Sequence, residues 1–257
     1  MIDPSEVRWY NSFVFYSYTM RKKIVNWLKK EVRLAKAKGI VLGLSGGVDS
    51  CVVASLAKEA VGKNKVLALI LPIHSHTRDA GDAKLIAGKL GIPHKTVDLS
   101  KAYDLLLKTF PKAGNLARMN LKPRLRMLTI YYFANKLNYL VCGTGNKSEI
   151  MVGYFTKYGD GAVDLLPIGA LLKRQVRSLA RELGIPNHII AKTPTAGLWP
   201  GQTDEGEMGI LYPELDDILN RLENKKKQVL SPAKVSKVKA MILKSEHKRI
   251  KPKMCMI

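Results

Sequence analysis

The stretch Gly43-Leu44-Ser45-Gly46-Gly47-Val48-Asp49-Ser50 decides how this chain is organised. It follows a short apolar run at residues 39–42 and precedes good helix formers at residues 51–60, so the sequence predicts a strand, a tight glycine turn and the start of a helix. Adjacent glycines allow the backbone to turn sharply and to approach a ligand closely. The free N–H groups and the positive end of the helix dipole favour an anion there, and phosphate suits this geometry.

Spacing excludes two other phosphate-binding motifs. A Walker A loop ends in Gly-Lys followed by Ser or Thr, and residues 43–50 contain no lysine. A dinucleotide fingerprint needs G-x-G-x-x-G, which the glycines at 43, 46 and 47 do not provide. A plain glycine turn remains an alternative, with Asp49 as a first-turn carboxylate that the helix dipole favours. The two serines and the acid around the glycines exceed what such a turn requires.

The stretch resembles the SGGxDS loop of the ATP pyrophosphatases, enzymes that split ATP between its α and β phosphates and adenylylate a substrate. The resemblance implies that residues 43–50 hold the pyrophosphate end of ATP, with the serines and glycines donating to its oxygens. It also implies that Asp49 helps to hold Mg²⁺.

Length and composition are typical of one α/β domain. A chain of 257 residues with 46% hydrophobic content is long enough to bury a large core. We expect a single domain over residues 1–257, with a helical extension at residues 1–38 and a basic tail at residues 246–257. The sequence shows neither a signal peptide nor a run of eighteen apolar residues, so a cytoplasmic location without membrane contact is expected.

The formal net charge of +22 indicates anionic partners. Nucleotides, nucleic acid and an acidic membrane surface all fit it, and charge alone does not choose among them. No aromatic and basic interleaving typical of an RNA-binding module is present, so nucleic acid is possible but not expected. The three cysteines, Cys51, Cys142 and Cys255, are far apart, which argues against a disulfide framework and a cysteine metal site.

Strand and helix patterns alternate after the first loop. Residues 65–71 form an apolar run typical of a buried strand, residues 79–90 have a helical pattern, and residues 95–99 form a weaker strand. Residues 138–143 predict a further strand. We therefore predict an α/β fold with a doubly wound, Rossmann-like parallel sheet of about five strands and helices on both faces.

The loop at residues 143–149, GTGNKSE, is a second candidate site. In a doubly wound sheet, ligands lie outside the carboxyl ends of the strands where the strand order reverses. Because both loops follow strands, they are expected to face that crevice together. Glu149 is then a candidate partner for Asp49 on Mg²⁺, which binds carboxylate and phosphate oxygens. A plain helix-start acid is the alternative for Glu149, and spacing does not decide between them.

Three further segments leave alternatives open. The long helical pattern at residues 115–137 is expected to break or restart at Pro123, and the basic residues around that point either form a solvated helix end or clamp an anionic substrate. The aromatic cluster at residues 9–18 either packs on the sheet or forms a subunit contact. His74 and His76 are expected to be polar surface rather than metal ligands.

Four runs in order along the chain resemble the ammonia-dependent NAD⁺ synthetases. They are GTGNKSE, TKYGDGAVDLLPIGALLKRQV, KTPTAGLWPGQTDEGEMG and SEHKRIKP, and together with the first loop they cover nearly the whole sequence. Within the third run, residues 197–205 depart from the family pattern, which puts the contacts of that segment in doubt. The resemblance implies that the segment at residues 193–209 is a mobile lid over ATP.

The resemblance also assigns site residues. It implies that Thr144, Lys173 and Thr195 add contacts to ATP, and that Asp49 and Glu149 hold Mg²⁺. Catalysis would then depend on Asp49, Glu149 and Lys173. The deamidated dinucleotide would be bound by five residues: Arg124, Lys157, Asp164, His247 and Lys248. Without the resemblance, Lys173 would be interpreted as a solvated lysine and the terminal pair as a frayed basic end.

The implied reaction is the ATP-dependent amidation of deamido-NAD⁺ by ammonia through an adenylylated carboxylate, which releases AMP and pyrophosphate. A homodimer is implied, and free ammonia or ammonia from a separate subunit is the expected nitrogen source. The proton acceptor for ammonium is open between Asp164 and the acids of the second loop. Two other hypotheses are a tRNA-modifying or tRNA-thiolating ATP pyrophosphatase, which the charge favours, and a non-catalytic nucleotide-binding protein.

Overall fold

The computed structural model describes residues 4–199, 201–227 and 229–255, and the side chains of the first helix from residue 18 onward. The strands in this part of the chain are β1 (Gly39–Gly43), β2 (Val66–Ile70), β3 (His94–Thr96) and β4 (Tyr139–Cys142). The helices are α1 (Pro4–Leu34), α2 (Val48–Val61), α3 (Thr77–Leu90), α4 (Ser100–Thr109), α5 (Asn115–Leu137), α6 (Lys147–Val152), α7 (Lys173–Glu182), α8 (Asn187–Ile190), α9 (Asp204–Met208), α10 (Tyr212–Glu223) and α11 (Pro232–Lys244).

The strands form one parallel sheet in the order β3-β2-β1-β4. The chain adds β2 and β3 outward from β1 in one direction and then places β4 on the opposite side of β1. The strand order therefore reverses between β1 and β4, and the loops after these two strands open at the same crevice. The predicted parallel sheet is confirmed.

Helices cover both faces of the sheet. Successive side chains of β1 point to opposite faces, as in any strand. Ile40 and Leu42 belong to a core shared with α1, α2 and α7, whereas Val41 belongs to a second core shared with α4 and α5. These three side chains are fully buried. The doubly wound α/β arrangement predicted from the sequence is confirmed.

The sheet is narrower than the expected five strands. The described residues form four strands, and a single bridge pairs Cys142 of β4 with Leu165 in parallel. Gly143 N donates to Leu165 O at 2.8 Å, so the chain begins a fifth strand there. Pro167 follows two residues later and has no N–H for a ladder, which explains why the pairing ends.

Helix α5 runs without a break through Pro123, so the expected interruption at that residue was wrong. Proline removes one N–H from the helix, but its fixed φ is compatible with helical backbone. Pro123 is buried and lies against Gly159, where a Cβ would come within 3.0 Å of the proline Cβ. Tertiary packing on the 156–161 turn compensates for the missing hydrogen bond, and a local sequence pattern does not reveal such packing.

Both ends of the chain pack on the rest of the protein where the structure describes them. The helix expected in residues 1–38 is present as α1, and Leu28 is fully buried in the core. The aromatic side chains before Tyr18 lie outside the described residues. Near the C-terminus, Lys248 Nζ donates to the carbonyls of Gly153 and Phe155 at 2.7 and 2.8 Å, so this part of the basic tail packs on the segment after α6. No helix in the described ranges is long and apolar enough to cross a membrane.

Candidate active site

The first loop is held in shape by its own serines. Ser50 Oγ donates to Gly47 O at 2.9 Å, and Ser45 N donates to Ser50 Oγ at 3.2 Å. Gly47 N donates to Ser45 Oγ at 3.3 Å. Gly47 is also the N-cap of α2, without a side-chain cap, and so the N-terminal N–H groups of this 14-residue helix face the crevice. The loop has the donors that a polyphosphate needs.

Gly46 is required by both its conformation and its surroundings. Its φ is +78°, which L side chains rarely adopt. A Cβ at this position would lie 2.4 Å from Asp79 O and 3.0 Å from Asp82 Cβ on α3. The loop therefore packs directly against the helix behind it.

The second loop begins α6 with a capping box. Asn146 is the N-cap, its side chain accepts from Glu149 N at 3.1 Å, and Glu149 Oε2 accepts from Asn146 N at 3.1 Å. The Asn146 amide also donates from Nδ2 to Asp49 Oδ1 at 3.0 Å. One fully buried asparagine thus orients both candidate metal-binding carboxylates.

Lys173 lies between those two carboxylates. Its Nζ is 2.5 Å from Asp49 Oδ2 and 3.2 Å from Glu149 Oε1, and its side chain is 2% exposed. The structure thus brings together Asp49, Glu149 and Lys173, the three residues that the sequence suggested for catalysis. Thr144 is half-buried directly after β4, at the same edge of the sheet.

A buried network fixes where Lys173 begins α7. Lys173 N donates to Ser148 Oγ at 3.0 Å, and Ser148 Oγ donates to Asp216 Oδ1 at 2.5 Å. Asp216 Oδ2 accepts from Arg174 N at 2.8 Å. The fully buried carboxylate of Asp216, on α10, therefore satisfies the free end of α7 and sets the position of the lysine.

Burial and charge act together on the pKa values of this site. Burial raises the pKa of Glu149 to about 7, with Lys173 opposing the rise and Asp49 adding to it. Burial alone would lower the pKa of Lys173, but the charges of Asp49 and Glu149 outweigh it and raise that pKa. The lysine is therefore held as a cation, which suits a group that binds phosphate.

The donor set also suits a divalent cation. Two carboxylates from different loops converge on a single positive charge, and carboxylate oxygen is the ligand that Mg²⁺ prefers. No group of three or more His, Cys, Asp or Glu side chains in the described ranges is arranged to hold a metal by itself. The geometry fits an ion that takes its other ligands from phosphate and water, as Mg²⁺ commonly does with nucleotides.

Sequence reasoning missed two residues of this cluster, Tyr212 and Asp204. The Tyr212 hydroxyl contacts Glu149 Oε1 at 3.2 Å and Asp204 Oδ2 at 3.0 Å. The Lys173 Nζ lies 4.9 Å from the centre of the Tyr212 ring. Asp204 lies in the third run, within the residues 197–205 that depart from the family pattern, and Tyr212 lies outside all four runs. The role of Asn146 was missed as well, but its N-x-x-E spacing to Glu149 is a helix-start signal that would have found it.

The candidate substrate-binding residues fall into two places. Arg124 Nη2 contacts Lys157 O at 3.4 Å, and Lys157 Nζ donates to His247 O at 2.5 Å, so Arg124, Lys157, His247 and Lys248 surround the segment after α6. Asp164 lies apart from them. Its carboxylate accepts from Val141 N at 2.7 Å and from Tyr131 Oη at 3.0 Å, which fastens it to β4 and α5.

The described residues of the segment at residues 193–209, which are 193–199 and 201–209, fold against the body of the protein. Thr195 is exposed, and its Oγ accepts from Gly197 N at 3.1 Å. The buried Lys122 donates from Nζ to Leu198 O at 2.8 Å, and Gln202 Oε1 accepts from Leu198 N at 2.7 Å. The hydrogen bond of the Thr195 side chain thus stays within its own segment, whereas Asp204 from the same segment bonds to Tyr212 of the Lys173 cluster.

Cys51, Cys142 and His74 contribute no nucleophile to this site. Burial raises the pKa of Cys51 to about 12 and also raises that of Cys142, so both thiols stay protonated. His74 Nε2 contacts Asp104 Oδ1 at 2.8 Å on the surface, and both side chains are about half exposed. The arrangement provides phosphate donors, paired carboxylates and a buried ammonium group.

Comparison with known proteins agrees with this geometry. The sequence profile of the family described as NAD synthase matches residues 20–252. The chain is 48% identical over 241 residues to the NH₃-dependent NAD⁺ synthetase of Carboxydothermus hydrogenoformans. That alignment covers 92% of this chain and 96% of the relative. It is similar to the solved NMN synthetase from Francisella tularensis, at a TM-score of 0.86 and 39% identity over 94% of this chain and 99% of that one. It also resembles the NH₃-dependent NAD synthetase from Campylobacter jejuni, at a TM-score of 0.82 and 29% identity over 93% and 99% of the two chains. The chain therefore belongs to the NAD synthase family.

Proposed function

We propose that the protein catalyses the ATP-dependent amidation of deamido-NAD⁺ by ammonia to give NAD⁺, AMP and pyrophosphate. The observation that carries this proposal is the ammonium group of Lys173 between Asp49 and Glu149, beside a phosphate-binding loop, in a chain of this family. Curated relatives that are 43–48% identical over most of the chain are named NH₃-dependent NAD⁺ synthetases.

The chemistry requires activation because a carboxylate and ammonia do not form an amide directly at neutral pH. A nicotinate carboxylate oxygen attacks the α phosphorus of ATP, and the bond to the β-phosphate oxygen breaks to release pyrophosphate. Ammonia, formed from ammonium by loss of a proton, then attacks the acyl carbon of the mixed anhydride. The C–N bond forms, the C–O bond breaks with its electron pair remaining on AMP, and the nitrogen loses a second proton.

The protein contributes alignment and charge. Residues 43–50 would bind the outer phosphates of ATP, with Thr144, Lys173 and Thr195 adding contacts, so that pyrophosphate leaves from a fixed position. Lys173 is buried and protonated, and its positive charge would stabilise the negative charge that develops on the leaving pyrophosphate. Asp49 and Glu149 would hold Mg²⁺, which when bound neutralises phosphate charge.

The dinucleotide is assigned to the basic region beyond α6. Arg124, Lys157 and Lys248 carry positive charge around residues 153–157, and the surrounding carbonyls already fix two of these lysines. His247 belongs to the same group through its carbonyl. Asp164 would contact the substrate from the β4 side. We further propose that residues 1–257 act as one synthetase domain.

Exposed apolar side chains on neighbouring helices support a homodimer. Leu105 on α4, and Leu116, Leu128 and Tyr132 on α5, are each more than half exposed. Single exposed apolar residues are ordinary, but a set on adjacent helices indicates an interaction surface. Light scattering at micromolar concentration would test whether two copies associate.

One alternative substrate has a specific observation behind it, because the solved structure at 39% identity is named an NMN synthetase. Nicotinate mononucleotide carries the same carboxylate as deamido-NAD⁺ but lacks the adenylate half. The tRNA-modifying alternative has no support from the relatives, and the charge of +22 is its remaining argument.

The decisive experiment supplies Mg-ATP and ammonium with either deamido-NAD⁺ or nicotinate mononucleotide. NAD⁺ with equimolar AMP and pyrophosphate is the expected result. A preference for the mononucleotide would identify nicotinate mononucleotide as the substrate in place of deamido-NAD⁺. ADP and orthophosphate as products would contradict the proposed chemistry. Unmodified tRNA in place of the nucleotide substrate tests the remaining alternative.

A further inference from the structure

Asp204 is a buried carboxylate with an unused oxygen. It is the first residue of α9 and is 5% exposed. Its Oδ2 accepts from the Tyr212 hydroxyl at 3.0 Å, whereas its Oδ1 is buried and accepts no hydrogen bond from any residue that the structure describes. The Tyr154 hydroxyl interacts with Asp204 but donates its one proton to Glu207 at 2.9 Å. A buried acceptor is therefore left for a ligand.

Asp204 also has no cation of its own. Among the described residues it forms no ion pair, because the Lys173 ammonium contacts Asp49 and Glu149 instead. Three carboxylates thus face one positive charge. Burial raises the pKa of Asp204 and the Lys173 charge opposes that rise, so the carboxylate is costly to keep ionised without a partner. A second cation at this point would relieve the imbalance.

The groups around Asp204 suit an ammonium ion better than a divalent metal. Carboxylate oxygens, tyrosine hydroxyls and aromatic faces all stabilise an ammonium group. The Tyr212 ring already has the Lys173 ammonium 4.9 Å from its centre, which shows that this ring tolerates such a charge. Mg²⁺ prefers several oxygen ligands, which the converging carboxylates of Asp49 and Glu149 offer, whereas Asp204 offers one unused oxygen.

We propose that the Oδ1 atom of Asp204 binds the ammonium ion that supplies the amide nitrogen. This inference rests on the proposed function and deepens it by assigning a site to the smallest substrate. The Tyr212 hydroxyl contacts both Asp204 and Glu149, so it holds the ammonium-binding carboxylate next to the cluster that binds ATP and its metal. The ion is thereby held at the crevice in which the mixed anhydride forms, and it becomes the nucleophile, ammonia, when it loses a proton to water.

A purely structural role is the competing interpretation. Asp204 would then act only as a latch, in which its carboxylate fastens the 193–209 segment to Tyr212 through one hydrogen bond. Asp204→Asn distinguishes the two roles. Asparagine keeps an acceptor for the Tyr212 hydroxyl, which preserves the latch, but it lacks the negative charge that would bind ammonium. A charge-matched control is Asp217→Asn, which removes a carboxylate from α10 that pairs with Arg221.

The experiment compares full-length wild-type, Asp204→Asn and Asp217→Asn proteins with two nucleophiles. Hydroxylamine is uncharged at neutral pH and gives a hydroxamate, so it does not need a carboxylate to bind it as a cation. For Asp204→Asn we expect the KM for ammonium to rise about 10- to 100-fold, since a charge-assisted hydrogen bond is lost. The KM for ATP and the hydroxylamine rate should stay at their wild-type values, and Asp217→Asn should match the wild type throughout.

Other results would overturn the inference. Equal losses with both nucleophiles, or a raised KM for ATP, would identify Asp204 as a latch, and an unchanged ammonium KM would remove it from the site. If Asp204→Asn does not fold, the wild type decides through the pH dependence of KM expressed as total ammonium. Binding of the ion predicts a constant KM below the pKa of ammonium, whereas binding of free ammonia predicts a fall of about tenfold per pH unit. NAD⁺ formation by the wild type tests the proposed function separately.

Discussion

Asn146 Nδ2 lies 3.0 Å from Asp49 Oδ1, although 97 residues separate them in the chain. This hydrogen bond joins the loop after β1 to the loop after β4, which are the two loops at the point where the strand order reverses. Because the same asparagine caps α6 and orients Glu149, the relative position of the two carboxylates depends on one side chain. Asn146 is therefore expected to position the two carboxylates for the Mg²⁺ that we propose they bind.

Replacing Asn146 separates capping from positioning. We expect both Asn146→Ala and Asn146→Ser to lower kcat and to weaken the dependence of the rate on Mg²⁺, because alanine has no donor and the serine hydroxyl is one bond shorter than the asparagine amide that donates to Asp49. Serine remains a good N-cap whereas alanine does not, so the alanine variant should be less stable than the serine variant by about 1 kcal/mol. Urea unfolding and steady-state kinetics check the two effects. Wild-type kinetics in the serine variant would contradict the positioning role.

Asp49→Asn is expected to abolish turnover while the fold is retained. The substitution keeps the shape of the side chain but removes the charge that pairs with Lys173 and that would bind Mg²⁺. Lys173 keeps Glu149 as an ion-pair partner at 3.2 Å, so its burial remains partly compensated. NAD⁺ formation and the far-UV circular dichroism spectrum are the measurements, with Asp217→Asn as the charge-matched control. Near-normal activity in Asp49→Asn would rule out the Mg²⁺ assignment.

Local sequence patterns predicted the phosphate-binding loop, because its shape depends on residues that are neighbours in the chain. The glycines and serines of residues 43–50 require a strand, turn and helix, and that segment folds as expected. Lys173 was found only through its family resemblance, because nothing within α7 indicates that its side chain is buried. Asp204 and Tyr212 join the cluster through tertiary contacts between segments far apart in the chain, which no periodicity encodes. Pro123 shows the same limit, since packing on the 156–161 turn overrides a local breaker.

Gly46→Ala tests whether the shape of the loop controls ATP binding. Gly46 has a positive φ, and the alanine Cβ would lie 2.4 Å from Asp79 O, so alanine must displace the loop from α3. We expect a protein less stable by about 1–3 kcal/mol, with a raised KM for ATP. Gly88→Ala within α3 is the matched control, because no atom lies within 4 Å of its added Cβ, and it should be slightly stabilising. An unchanged KM for ATP in Gly46→Ala would show that ATP binding does not depend on the shape of this loop.

Asp82 fastens α3, behind the first loop, to the segment after α8, and its contribution should depend on pH. Its Oδ2 is 2.8 Å from Lys192 Nζ, and its side chain is 11% exposed. Burial by itself would raise the pKa of Asp82, but the hydrogen bond and charge of Lys192, joined by His188, hold it below the usual value of 3.8. A carboxyl whose pKa is depressed on folding stabilises the protein above its unfolded pKa, and that stabilisation is lost as the pH falls through the folded pKa.

Asp82→Asn should therefore cost about 1–3 kcal/mol at neutral pH, at the lower end because Lys192 keeps Asp79 as a partner 2.5 Å away. The difference from the wild type should shrink below about pH 4, where the wild-type carboxyl becomes protonated and resembles the amide. Urea unfolding of both proteins across this range measures the difference, and a His188→Gln background isolates the effect of Lys192. A gap that stays constant down to the acid limit would show that Asp82 acts through packing and hydrogen bonding alone, since the Asp82 carboxyl is the ionisable group by which the two proteins differ.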